Sequence, residues 1–214
     1  MMKRREINSE KEWLGSRGIG GTLASAIIGV NPYKTQSDAY NELVFGNDKN
    51  ISNEAIERGK KLEPAVRTLW NYLNPTFKVE EPPKENWLFY DDEHPYLTAS
   101  FDGIITDENG KKGILEIKTR QGSLEEWENN SIPKHYYVQI LHYLMISDYD
   151  YAIITCFALD YNGTNFELIT RRIERENHIE EIKKLKKVEM DFYKKSLAKV
   201  RPKEKIDFPL VKSL

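Results

Sequence analysis

A single cysteine, Cys156, is present in the 214 residues. It cannot form an internal disulfide, and it excludes a multi-cysteine zinc site or an iron–sulfur cluster. Long hydrophobic runs are also lacking. The longest uncharged stretch, Gly18 to Tyr33, contains Thr, Ser, Asn and Pro and falls short of a membrane span. Met1-Met2-Lys3-Arg4-Arg5-Glu6 leads into polar residues, so no secretory signal and no membrane partner are expected, and the expected location is cytoplasmic. Nor does one sign of charge dominate: 32 Lys+Arg stand against 34 Asp+Glu, a formal net charge of −2. This excludes a surface coated in positive potential. It leaves room for a nucleic-acid partner, because acidic residues at a metal site and basic residues along a groove cancel in the sum.

Hydrophobic residues make up 39% and aromatics 11% of the chain, enough for a real core, and the length fits one domain over residues 1–214. No internal repeat or linker is visible. The N-terminal third reads as helices around the glycine-rich turn Gly15-Ser16-Arg17-Gly18-Ile19-Gly20-Gly21-Thr22. Thr22 is placed to cap a helix over Leu23–Ile28, which Asn31-Pro32 ends. Leu62, Val66, Leu69 and Leu73 fall at i, i+4, i+7 and i+11, predicting a helix from Asn53 to Leu73 that Gly59 and Pro64 either kink or divide.

The period then changes. Tyr96–Ile105 and Ile114–Thr119 read as strands joined by the turn Asp107-Glu108-Asn109-Gly110. Pro133 opens a helix reaching about Ile146. Tyr151–Leu159 (YAIITCFAL) suits a strand buried on both faces, with Cys156 a core residue. Phe166–Ile173 reads as a further strand and Glu174–Lys199 as a long charged helix. The order makes a mixed α/β fold. From Lys183 to Lys205, ten basic residues stand against three acidic ones, either a solvated helix face or a surface for phosphates or a partner.

Leu115-Glu116-Ile117-Lys118 carries the chemistry. Strand periodicity puts Glu116 and Lys118 on one face and Leu115 and Ile117 on the other. Asp102, in Ser100-Phe101-Asp102-Gly103, lies on the preceding strand, and the hairpin brings it beside Glu116. Adjacent carboxylates repel unless a cation lies between them, and all-oxygen ligation favours Mg²⁺ or Mn²⁺ over zinc. A lysine two residues on suits an attacking water or the charge developing on a phosphate. On these residues alone, a surface hairpin with a Glu/Lys pair remains the alternative. His135, Gln139 and His142 share one helix face, but two histidines with no His or Cys partner nearby make a poor zinc site.

Four segments in order resemble the lambda-exonuclease-like, YqaJ-type viral recombinase family of the PD-(D/E)XK nuclease superfamily. They are Arg17 to Thr22 with Ile28 to Tyr33; Gly59-Lys60-Lys61-Leu62-Glu63-Pro64-Ala65-Val66-Arg67; Thr98 to Gly103 with Leu115 to Thr119; and Ile132-Pro133-Lys134-His135-Tyr136-Tyr137-Val138-Gln139. Phe101 departs from the family's usual Pro without removing a ligand. The resemblance implies a restriction-endonuclease-like core over about 17–193, a central mixed β-sheet flanked by helices, with a basic C-terminal helix and tail over 174–214.

It also implies roles. Asp102, Glu116 and the Ile117 carbonyl would bind metal, and Glu63 would join them directly or through water. Lys118 would be the catalytic lysine, with Gln139 orienting lysine, water or phosphate. Arg17, Thr22 and Ser100 would meet the 5′-phosphate or DNA. For Glu63 the alternative is a helix cap, for Gln139 a buried amide, for Ser100 strand packing, and for Arg17 a brace of its own turn. The implied activity is a Mg²⁺-dependent deoxyribonuclease with one or two ions per site, Mn²⁺ substituting. It would degrade one strand of double-stranded DNA from a 5′ end and leave a 3′ single strand for recombination. A homotrimer, a single-strand annealing protein as partner, and a phage or prophage origin are implied in the same way. The rivals are another endonuclease of the superfamily and a non-catalytic DNA-end-binding module.

Overall fold

A computed structural model describes residues 1–7, 9, 12, 16, 18–46, 54–81, 87–202 and 208. Its apolar centre is β7 (Tyr151–Leu159), the strand expected from YAIITCFAL. β7 runs parallel to β6 (Lys112–Gln121) and antiparallel to β8 (Phe166–Glu174). β5 (Gly103–Thr106) and β2 (Lys78–Glu80) complete a five-stranded mixed sheet of order β2-β5-β6-β7-β8.

Alternation sorts β6 and β7 between two cores. Leu115, Ile117, Tyr151 and Ile153 face Val66 and Trp70 of a helix we call α3 (Glu54–Leu73). Ile114, Ala152, Ile154 and Cys156 face the opposite layer, built from α1 (Gly21–Ile28), α4 (Lys134–Ser147) and α5 (Ile179–Leu197). Helices therefore cover both faces of the sheet, which explains why β7 carries no polar stripe. α2 (Gln36–Phe45) packs on α1 and α5, and short 3₁₀ turns span Glu125–Trp127 and Arg175–His178. A separate antiparallel sheet joins β1 (Met2–Glu6), β3 (Trp87–Asp91) and β4 (Thr98–Ala99).

Several expectations change. Tyr96–Ile105 is not one strand: β4 ends at Ala99 in one sheet, and β5 starts at Gly103 in the other. Between them the Ser100 hydroxyl donates to the Trp87 carbonyl (2.8 Å) and the Asp102 carboxylate turns to the Ile117 N–H. α3 is continuous through Gly59 and Pro64. A proline removes a single N–H bond, the one to the carbonyl four residues before it, and the helix runs on through that gap. The buried face of α3 runs through Val66, Arg67 and Trp70, leaving Leu73 exposed. Trp70 displaces Leu73 because its larger ring fills the space against Phe77, with centroids 5.4 Å apart. Thr22 does not cap α1: the helix starts at Gly21 with Gly20 as its N-cap, and Gly20 accepts from Ala24 N (2.9 Å).

The three-residue face of His135, Gln139 and His142 also divides. His142 is fully buried, with Nδ1 2.9 Å from both Glu189 carboxylate oxygens and Nε2 2.9 Å from the Thr98 carbonyl. Both ring nitrogens face acceptors, so the ring carries two protons and pins α4 to α5 and β4. Burial works against that charge, but Glu189 together with the Thr98 and Ile19 backbone outweighs it and raises the His142 pKa above its ordinary 6.5. No helix among the described residues is long and apolar enough to cross a membrane.

Candidate active site

β6 is ten residues long and β5 four, with Gly103 opposite Leu115 at the last shared position. Past that point no strand among the described residues pairs with β6 on the β5 side, and Ile117 N is open to another acceptor. Asp102 Oδ2 takes it at 2.7 Å. The break between the two sheets therefore places one carboxylate against the strand that carries the other.

Asp102, Glu116, Gln139 and Tyr143 line one cavity of about 260 Å³ with Gly20, Gly21, Thr22 and Thr98–Ser100. Glu116 Oε1 accepts from Lys118 Nζ (2.6 Å) and Gln139 Nε2 (2.9 Å). Glu116 Oε2 is buried without a hydrogen-bond partner among the described residues. Gln139 also donates to the Tyr143 hydroxyl (2.8 Å). From the other face of the sheet, Arg67 donates to the Asp102 carbonyl (2.7 Å) and to Glu63 Oε1. Glu63 thus belongs to a mid-helix ion pair on α3, not to a helix cap.

Three carboxylates share two cations here, Arg67 and Lys118. Burial, then repulsion from Asp102, pushes the Glu116 carboxyl up to about 8 despite Lys118. The same two causes push Glu63 up to about 7, against Arg67 and Lys118. Burial raises Asp102 as well, against Lys118, the Ile117 N–H and Arg67. For Lys118 burial works against the charge, but Glu116, Tyr136 and Asp102 outweigh it and the ammonium is held more firmly than usual. The orphaned Glu116 oxygen, the excess of carboxylates and the absence of sulfur or histidine ligands all fit an oxygen-liganded divalent cation.

The other expected residues fare unevenly. Thr22 and Ser100 line the cavity. The Ser100 proton is already engaged by Trp87, which leaves the hydroxyl only lone pairs and no donor for a phosphate. Arg17 lies outside the described residues. Arg67 and Tyr143 were not singled out from sequence. For Arg67 the signal was present: an arginine four residues after Glu63 on a helix shares its face. A different cluster, Asp91, Glu93 and His94, brings three ligand atoms within 4.8 Å of one another. Asp91 Oδ1 already accepts the Glu93 and His94 N–H groups and Oδ2 accepts Lys186 Nζ, so a lysine completes that turn.

Gly21 ties the turn at the cavity mouth to these residues. A Cβ at Gly21 would lie 2.4 Å from Gln139 Cγ, too close for any larger residue without displacing the amide.

A mixed sheet covered by helices, with Asp102 and a Glu-x-Lys on adjoining segments, is the core architecture expected from the sequence. Crystal structures of the alkaline exonuclease LHK-Exo from Laribacter hongkongensis share the fold. The TM-score is 0.65 at 17% identity, and 0.67 at 18% for the complex with dAMP, each match covering 89% of this chain and 94% of that one. A phage-related exonuclease from Haemophilus somnus 129PT matches with a TM-score of 0.60 and 16% identity, over 86% of this chain and 96% of the other. The chain belongs to the YqaJ-like viral recombinase domain family, whose model matches residues 12–150. The uncharacterized protein YqaJ of Bacillus subtilis (strain 168) is 32% identical over 204 residues, 89% of this chain; the chain spans 59% of that relative's length.

Proposed function

We propose that the chain is a Mg²⁺-dependent exonuclease that degrades one strand of linear double-stranded DNA from its 5′ end. The observation that carries this reading is Glu116 Oε2, buried without a partner in a cavity shared with Asp102. Asp102, Glu116, the Ile117 carbonyl and Glu63 are the groups to hold metal. Mg²⁺ or Mn²⁺ there would supply an activated water and offset phosphate charge. Lys118, kept protonated by its neighbours, presents positive charge where a phosphodiester develops negative charge. Gln139 holds the liganding carboxylate in place. Arg67 fixes Glu63 and the Asp102 backbone together, so the ligands from α3 and from the strand break keep one geometry. Family membership and the exonuclease folds support the reaction class; a homotrimer, an annealing partner and a phage setting belong to the same proposal.

End-labelled linear duplex and closed circular DNA, each with Mg²⁺ or EDTA, test it. Loss of label from the linear form only, and only with Mg²⁺, is expected. Nicking of the circle would favour an internal endonuclease, and binding without hydrolysis a non-catalytic module.

Direction requires recognition of a terminus, because a metal centre treats all phosphodiesters alike. Arg17 is assigned to the 5′-phosphate, with the Thr22 hydroxyl, which lines the cavity, as its companion. Substrate carrying a 5′-phosphate should be degraded faster than its 5′-hydroxyl counterpart, and Arg17→Ala should largely erase the difference at a fixed salt concentration. A folded Arg17→Ala protein with its full phosphate preference would refute the assignment.

A further inference from the structure

A row of aromatic rings leads from the site to solvent, and the hydrolysis described above makes no use of it. Tyr33, at its outer end, is 84% exposed. The turn that presents it is well held. Asn31 Oδ1 accepts from Tyr33 N (2.8 Å) and Lys34 N (2.9 Å), and Asn31 Nδ2 donates to Ser25 Oγ (2.8 Å) and the Thr22 carbonyl (3.3 Å). Pro32 fixes φ between them. The ring is therefore mounted on the first turns of α1, whose Thr22 lines the carboxylate cavity. Behind it, His135 meets Tyr33 edge to face at a centroid distance of 6.2 Å. His135 lies 3.9 Å from Tyr136, and Lys118 Nζ stands 4.7 Å over the Tyr136 ring. Successive ring contacts thus join an open aromatic face to Lys118, the lysine bonded to Glu116.

The ligand that matches an open aromatic face linked through two further rings to a cation is a nucleic-acid strand, with a base on Tyr33 and the backbone running toward the lysine. We propose that Tyr33 is a stacking step for an unpaired nucleobase of the strand being cut. This rests on the nuclease reading and adds an aromatic contact at Tyr33 to a base that lies outside the duplex stack. A base inside a duplex has both faces covered by its neighbours, so only an unstacked or terminal base has a face free for Tyr33. Because every base has such a face, the contact is indifferent to sequence.

The test measures binding in EDTA by fluorescence anisotropy, using duplexes with a three-nucleotide 5′ overhang and versions with one overhang position made abasic. Tyr33→Ala should weaken binding of the intact overhang about tenfold, whereas Tyr33→Phe should bind as the native protein does. One abasic position should cost the native protein about tenfold and cost Tyr33→Ala nothing further. Equal abasic costs in both proteins, or native affinity in Tyr33→Ala, would overturn the stacking step. If the native protein degrades linear duplex in Mg²⁺ and either of those results is found, only this inference fails. If it degrades no DNA at all, the nuclease reading fails with it.

Discussion

Asp102→Ala, Glu116→Ala and Lys118→Ala are each expected to lower Mg²⁺-dependent hydrolysis of linear duplex DNA by roughly 10² or more. Each removes a carboxylate assigned above to the metal or the ammonium beside it, and DNA binding should survive all three. Near-native turnover in either carboxylate variant would remove the metal assignment. A second readout avoids activity altogether. Glu63 and Glu116 give up protons in the folded protein at about 7 and about 8, against an ordinary 4.5. Between those values the folded state holds more protons than the unfolded one, so without metal it loses stability as pH rises from 4.5 through 8. A divalent cation supplies the missing charge. The gain in Tm on adding Mg²⁺ should therefore grow across that window in the native protein and shrink sharply in Asp102→Ala. A Mg²⁺-induced gain that is the same in both proteins at pH 8 would show that the ion sits elsewhere.

The second large effect lies behind the site. Glu189→Ala should cost about 3–5 kcal/mol in denaturant unfolding, because it leaves the buried His142 charge without its partner. Replacing both residues, His142→Leu with Glu189→Leu, should recover most of that loss, since no charge remains inside. The direction with pH follows from the raised His142 pKa. The stabilisation is complete below 6.5, the ring's ordinary value, and is lost as pH rises through its higher folded value. A Glu189→Ala loss under 1 kcal/mol at pH 6 would mean that the pair is not charged.

Much of the fold was legible because periodicity and burial agreed. Tyr151–Leu159 is covered on both faces, so its apolar run had one reading, and Leu115 and Ile117 alternate with Glu116 and Lys118 as strand geometry demands. Local pattern failed where tertiary contacts decide. Nothing between Tyr96 and Ile105 marks the change of sheet, because the break is held by Ser100 on Trp87 and Asp102 on Ile117, distant in sequence. β1 and β3 were missed for a related reason: Met2–Glu6 carries four mostly exposed residues in five, and its partner β3 lies over eighty positions away. At the site, Asp102, Glu116, Lys118 and Gln139 were visible as motif residues. Tyr143 was hidden because its role is a hydrogen bond to Gln139, which composition and spacing do not announce.

The absent side chain at Gly21 has a mechanical consequence. With no room for a Cβ against Gln139, and with Gln139 bonded to Glu116, the glycine turn lining the cavity and the Glu116 carboxylate are separated by one amide. Close-packed groups cannot slide past one another without cost. A push on the turn from a docking strand would be felt as a displacement of Glu116 Oε1, so the turn and the buried carboxylate form one frame. A methyl group at position 21 would therefore shift Gln139, and with it Glu116, from a residue that does not itself bond to either carboxylate.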